Sequence, residues 1–72
     1  MSREIIYPPG GIDVEPVWRP IATAPHDGTH LTIGWVERGR LLRERDSHWS
    51  VAGNLPHWDG GGGYPTHWRP LS

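Results

Sequence analysis

Ten glycines and eight prolines make up a quarter of the 72 residues, and no other feature constrains the fold as strongly. Proline lacks a backbone donor and clashes with the preceding helical turn, and glycine loses the most entropy on ordering, so both interrupt helices. No helix of useful length is predicted. A chain this short buries only about 60% of the surface its unfolded form exposes, which allows one small domain but not a multi-step enzyme with its own cofactor cradle. Leu, Ile and Val together number 14 and phenylalanine is absent, so the missing apolar area must come from five tryptophans.

The N-terminal residues 1–16 carry Pro8, Pro9 and Pro16 with Gly10 and Gly11, and read as an extended arm. Ile5, Ile6, Tyr7 and Ile12 are too apolar for a solvated tail, so the arm is expected to dock, either on its own domain or on a partner. Residues 17–72 read as a small antiparallel β domain. Ala24 to Thr29 is a turn: Pro25 presets its backbone, Asp27 can bond nearby amides, and Gly28 accepts a positive φ. His30 to Glu37 follows as a strand with Leu31, Ile33 and Trp35 on one face. Glu37-Arg38-Gly39-Arg40 is a hairpin turn and Leu41 to Ser50 the returning strand, where a bulge would switch faces. Gly53 to Pro56 and Gly60 to Gly63 are loops, the second a hinge, and Tyr64 to Leu71 closes the sheet as an edge strand. The expected fold is mainly β: a small antiparallel sheet or partly open barrel of three to five short strands, with Trp18, Trp35 and Trp68 in the core.

The chain has no cysteine, which excludes a disulfide scaffold, a thiolate zinc site and a cysteine nucleophile together. Its first residues lack the pattern of a signal peptide, and no stretch approaches the roughly 18 apolar residues of a membrane span, so a cytoplasmic location in the host cell and no membrane partner are expected. All seven basic residues are arginine, against eight acidic ones. The overall charge favours neither nucleic acid nor an acidic membrane, and nucleic acid is not the expected partner.

The dipeptide His-Trp occurs at His48-Trp49, His57-Trp58 and His67-Trp68. Three imidazoles would suit zinc, but ligands normally include a close pair that fixes local geometry. The only close pair here, His26 and His30, straddles an Asp-Gly turn, so no metal and no cofactor are expected. Ser47, Ser50, Thr29 and Thr66 lack a nucleophile elbow, and Gly60 to Gly63 lead into Tyr64-Pro65 rather than a phosphate-binding helix start. Glu44 and Asp46 sit among arginines as ordinary salt-bridge partners. The chain is therefore expected not to be an enzyme. Arg38, Arg40, Arg43 and Arg45 cluster on the hairpin, and Trp58 lies beside Asp59 and the glycine run. Arg40, Arg43, Arg45, Trp58 and Tyr64 are the expected partner-binding residues, since arginine and aromatic side chains most often carry interface energy.

Trp18-Arg19-Pro20-Ile21-Ala22-Thr23-Ala24-Pro25-His26-Asp27-Gly28, taken with Thr66-His67-Trp68-Arg69-Pro70-Leu71, resembles a family of small uncharacterised proteins common in phages and prophages of proteobacteria. These open with Trp-x-Pro-Ile-x-x-x-Pro-x-Asp-Gly and close with Thr-His-Trp-x-Pro-Leu. The resemblance implies a phage or mobile-element origin, no reaction, and no catalytic residue to carry over. The arm before Trp18 and the glycine run depart from the pattern. The function it implies is an accessory binding protein that inhibits a host protein by direct contact, with host defence of the CRISPR type as the leading class. A sponge for a nucleotide signal is the alternative, a virion component comes third, and self-association stays open for so small a core.

Overall fold

The computed structural model describes residues 4–51, 55–60 and 63–71. The described residues are mainly β, in an open antiparallel sheet of six strands with a second sheet of two. In chain order the strands are β1 (Glu4–Ile6), β2 (Ile12–Asp13), β3 (Arg19–Pro20), β4 (Leu31–Glu37), β5 (Arg40–Ser47), β6 (Trp49–Ser50), β7 (His57–Trp58) and β8 (His67–Pro70). One 3-10 turn, Ile21–Thr23, follows β3. The large sheet runs β1-β5-β4-β8-β3, with β2 also on β5, while β6 and β7 pair with each other.

The hairpin of β4 and β5 is the centre of the sheet. Arg38 and Gly39 both take positive φ, 54° and 75°, the backbone of a two-residue turn that matches strand twist. The register runs Leu31↔Ser47 to Trp35↔Arg43, then shifts so that Val36 faces Leu41. Leu42 is the extra residue of this bulge, and the shift moves Leu41 to the face opposite Arg43, Arg45 and Ser47.

Each sheet face therefore has its own cover. On one, Leu31 and Ile33 are fully buried and pack with Ala24 and Trp58, against which Ile21, Trp35, Trp49 and Trp68 also lie. Trp35 and Trp68, expected in the core, are half-buried at its rim. On the other face, Trp18 lies on Gly34 so closely that a Cβ there would come within 2.7 Å of its ring, with Leu41 alongside. The guanidinium of Arg69 stands 5.3 Å from the Trp18 ring centre. It donates to buried Glu44 at 2.9 Å, and the Tyr7 hydroxyl donates to the other oxygen of the same carboxylate. Removing one partner of a buried ion pair costs about 3 to 5 kcal/mol, because the remaining charge is stranded.

The arm docks on its own domain. Glu4, Ile5 and Ile6 pair with Arg45, Glu44 and Arg43, and Ile12 and Asp13 pair with Leu41 and Arg40. Between the two strands Gly11 N donates to Pro8 O at 2.9 Å with Gly10 at φ 92°, a turn built on Pro9 and Gly10. Arg40 clamps this stretch from the hairpin, donating to Gly10 O at 3.1 Å, Gly11 O at 3.0 Å and Asp13 Oδ1 at 2.5 Å. The arm thus adds β1 and β2 to the sheet, giving more strands than expected.

β8 is not an edge strand. It pairs with β4 through Leu31↔Pro70 to Gly34↔His67, and on its other side Arg19 and Pro20 pair with Trp68 and His67. Pro70 sits at the end of the strand, where a missing amide donor interrupts no further pairing. The loop expected at Gly53 to Pro56 and the hinge expected at Gly60 to Gly63 fall partly on residues 52–54 and 61–62, which lie outside the described residues.

Gly34→Ala should lower unfolding free energy by about 1 to 3 kcal/mol through overpacking against Trp18, read as an earlier urea midpoint at unchanged slope. A parental midpoint would mean that Trp18 is not seated on β4. In the turn before β4, the Thr29 hydroxyl and then its backbone amide hydrogen-bond Asp27 and hold its carboxyl below the ordinary range. The folded value being depressed, the turn's contribution is present above the unfolded pKa and lost as pH falls through the folded one. Thr29→Val should raise the Asp27 titration toward its ordinary value by NMR, and an unmoved titration would remove the hydroxyl from this account.

Candidate functional site

The five expected binding residues do not form one surface. Arg45 is 5% exposed. Its guanidinium donates to the carbonyls of Gly60 at 3.3 Å and Asp59 at 3.2 Å and lies 3.7 Å from Glu4. Gly60 takes φ 102°, and a Cβ there would crowd that guanidinium at 3.0 to 3.3 Å. Arg45 therefore holds the turn after β7 onto the sheet. Ser47 Oγ donates to the same Asp59 carbonyl at 2.7 Å.

Trp58, expected as an exposed anchor, is 4% exposed and belongs to the core. Its ring meets Trp49 edge-on at 5.1 Å between centres, and His26 lies 5.6 Å away. The physical reason is strand pairing: Trp49↔Trp58 and Ser50↔His57 form a small flap, whose tryptophans fill space above Ile33 that short aliphatic residues cannot reach. Arg45 and Ser47 hold the Asp59 and Gly60 carbonyls against the sheet, so adjacency to glycine does not expose Trp58. Arg40 is half-exposed, but its donors serve the arm, as described above.

Arg43 and Tyr64 remain, together with two residues that sequence reasoning placed elsewhere. Ile6, Arg43 and Trp35 are successive cross-strand partners on β1, β5 and β4, so their side chains share a face at neighbour distance. The Arg43 guanidinium stands 4.0 Å from the centre of the half-buried Trp35 ring, and Arg45 stands 5.2 Å from it. Ile6 is 71% exposed and Tyr64 68%. The chain reaches Tyr64 past the Trp35 indole nitrogen, 3.9 Å from where a Gly63 Cβ would be. It is then fixed by Thr66, whose amide donates to Gly34 O at 3.0 Å and whose hydroxyl accepts from Val36 N at 2.8 Å. The result is an arginine held over a tryptophan, with exposed Ile6 as its cross-strand neighbour and exposed Tyr64 one residue beyond the glycine that passes the Trp35 indole. Ile6 was legible only as part of a docking arm, and Trp35 only as a core position.

The hairpin tip carries a second concavity of about 320 Å³, lined by Gly10, Glu37, Arg38, Arg40 and Leu42. It offers no aromatic face on which a nucleobase could stack, which a nucleotide sponge would need. His48, His57 and His67 do not converge, and no group of three metal-ligating side chains occurs among the described residues. No helix in the described residues is long and apolar enough to cross a membrane.

The motif residues that carry the phage-type resemblance lie against one another. Arg19 and Pro20 pair with Trp68 and His67, Ile21 N donates to Thr66 O at 3.0 Å, and Trp68 Nε1 donates to Thr23 Oγ1 at 3.0 Å. They act as a clasp between the two ends of the domain, away from Ile6. Comparison with family models, curated proteins and solved structures gives no match.

Trp58→Ala should cost about 3 to 5 kcal/mol of stability as a core truncation, whereas Tyr64→Ala should change it by less than about 0.5 kcal/mol. Equal melting of the two variants would return Trp58 to the surface.

Proposed function

We propose that this chain is a binding domain without catalytic activity, whose contact surface is the Trp35-Arg43 stack with Ile6 and Tyr64. The observation that carries the reading is the exposure of Ile6 and Tyr64, 71% and 68%, together with a guanidinium already held over an indole, 4.0 Å from its ring centre. Interfaces concentrate energy in such groups: an aromatic and an arginine form the centre, and neighbouring apolar side chains exclude water from them. A guanidinium already held over a ring loses less rotamer freedom on binding than one free in solvent, so the contacts it makes to a partner cost less entropy to form.

The resemblance to the phage-type family supports the finer reading. The partner is a host protein in the cytoplasm, the contact inhibits it, and host defence of the CRISPR type is the leading class. This step rests on likeness of motif rather than on site chemistry.

A photo-reactive side chain placed at Tyr64 or at Ile6 should crosslink one and the same protein in a lysate of a proteobacterial host, and one placed at Asp27 should not. Arg43→Ala, shown by its melting curve to be folded, should weaken binding to that protein at least tenfold. Parental affinity of Arg43→Ala and of Ile6→Asp would sink the assignment of this surface. Melting raised by a nucleotide, with no protein captured, would favour the sponge.

A further inference from the structure

The histidines, set aside by the contact surface, contain one close pair. His57 Nδ1 lies 2.5 Å from Leu55 O and His67 Nδ1 lies 2.9 Å from Thr66 Oγ1, while His26 stands edge-on to Trp49 at 4.3 Å. His30 and His48 lie beside each other with ring centres 4.8 Å apart and planes inclined by 32°. No hydrogen bond to either ring occurs among the described residues.

Their approach follows from the register. Leu31 pairs with Ser47 at the end of the central hairpin, so His30 and His48 are the next residues outward on the two chains and leave the same face. Both backbones are held. The Thr29 amide and hydroxyl donate to Asp27 Oδ1 at 3.0 and 2.5 Å, fixing the turn that delivers His30. Asp59 N donates to His48 O at 3.0 Å, fixing the chain at His48. His30 is exposed and His48 half-buried, so a solvated ion can reach the pair.

The spacing suits a shared ligand. With a metal-nitrogen bond of about 2.0 to 2.1 Å and a ring centre about 1.2 Å beyond the nitrogen, two imidazoles at about 90 to 109° on one ion have centres about 4.5 to 5.2 Å apart. The observed 4.8 Å falls inside that interval. Thr32 and Asp46 pair one step inward on the same face, the Thr32 hydroxyl donating to the Asp46 carboxylate at 3.3 Å, while Arg69 on that face is neutralised by Glu44. We propose that His30 and His48 form a two-imidazole site for a late first-row divalent cation, with water completing the coordination. Imidazole donors and the Irving–Williams order put Cu²⁺ first, with Ni²⁺ and Zn²⁺ weaker. This site differs from the His48, His57 and His67 set that the sequence spacing argued against. It lies at the rim of the sheet, so the fold does not require the metal.

Cu²⁺ titrated into the full chain in a non-chelating buffer should bind with a stoichiometry of one by calorimetry, and its electron paramagnetic resonance spectrum should show two nitrogen donors. His30→Ala and His48→Asn should each weaken binding at least tenfold. His26→Ala, His57→Ala and His67→Ala should leave it within twofold. Because His30 is exposed, its variant keeps the fold and gives a clear answer even if His48→Asn does not fold. Parental affinity of His30→Ala, or a spectrum with one nitrogen donor, would overturn the site. So would binding lost equally in the three control variants.

Discussion

The seating of the Trp18 ring on Gly34 is the contact on which the arrangement of both sheet faces depends. A strand residue with any side chain at position 34 would hold Trp18 off the sheet, since its Cβ would lie 2.7 to 2.8 Å from ring atoms and 3.0 Å from Leu41. With the indole seated on Gly34, a second face of the sheet is covered. Arg69 can then lie over Trp18, and Glu44 can be buried with Arg69 and Tyr7 as its partners. Tyr7 in turn ties the arm to β5, whose Leu42 carbonyl accepts from the Tyr7 amide at 3.0 Å. One glycine thus links the first motif, the last strand and the N-terminal arm.

The hairpin was legible because its signals are local: Leu31, Ile33 and Trp35 alternate, and Arg38-Gly39 suits the turn. A bulge was legible as a conflict of parity between Leu41 and Arg43. What it accomplishes was not, because the benefit of moving Leu41 comes from Trp18, far away in sequence. The place of β8 was misread for a similar reason. Its prolines suggested an edge, yet the true edge is Arg19–Pro20, which finds its partner only through the closure of the whole domain. Trp58 was misread because composition around it, Asp59 and glycine, describes the chain after the residue and not the flap it closes with Trp49. Of the candidate site, Arg43 and Tyr64 were legible by residue type. Ile6 required knowing where the arm docks, and Trp35 required knowing how far the flap extends over the core.

The paired motif segments lie apart from the proposed contact surface. Trp18, Arg19, Pro20, Ile21, Thr23, Thr66, His67, Trp68 and Arg69 spend their hydrogen bonds and rings on one another or on the sheet. Such a clasp is demanded by any member of a fold that joins its two ends this way, whatever it binds. The parts that depart from the resemblance lie elsewhere: the arm supplies Ile6, and the glycine run leads to Tyr64. On the proposed reading the clasp serves stability while the arm and Tyr64 serve contact, an arrangement that added strands and loops on a fixed scaffold commonly provide.

Four of the seven arginines answer the same shortage of aliphatic residues. With few apolar side chains to cover five large rings, the chain covers three of them with guanidinium groups: Arg43 and Arg45 against Trp35, Arg69 against Trp18, and Arg19 at 5.8 Å from Trp68. A guanidinium is flat, weakly hydrated and still able to donate in its own plane, so it can stack on an indole and bind carbonyls at once, as Arg45 does with Asp59 and Gly60. An ammonium offers a point charge with a strong hydration shell and no plane to stack, and would leave the rings wet. Arginine here therefore takes over part of what leucine does in larger cores. Within that set Arg43 differs by position, since its stack ends at the sheet margin beside exposed Ile6, where the same plane that covers Trp35 can also meet a partner.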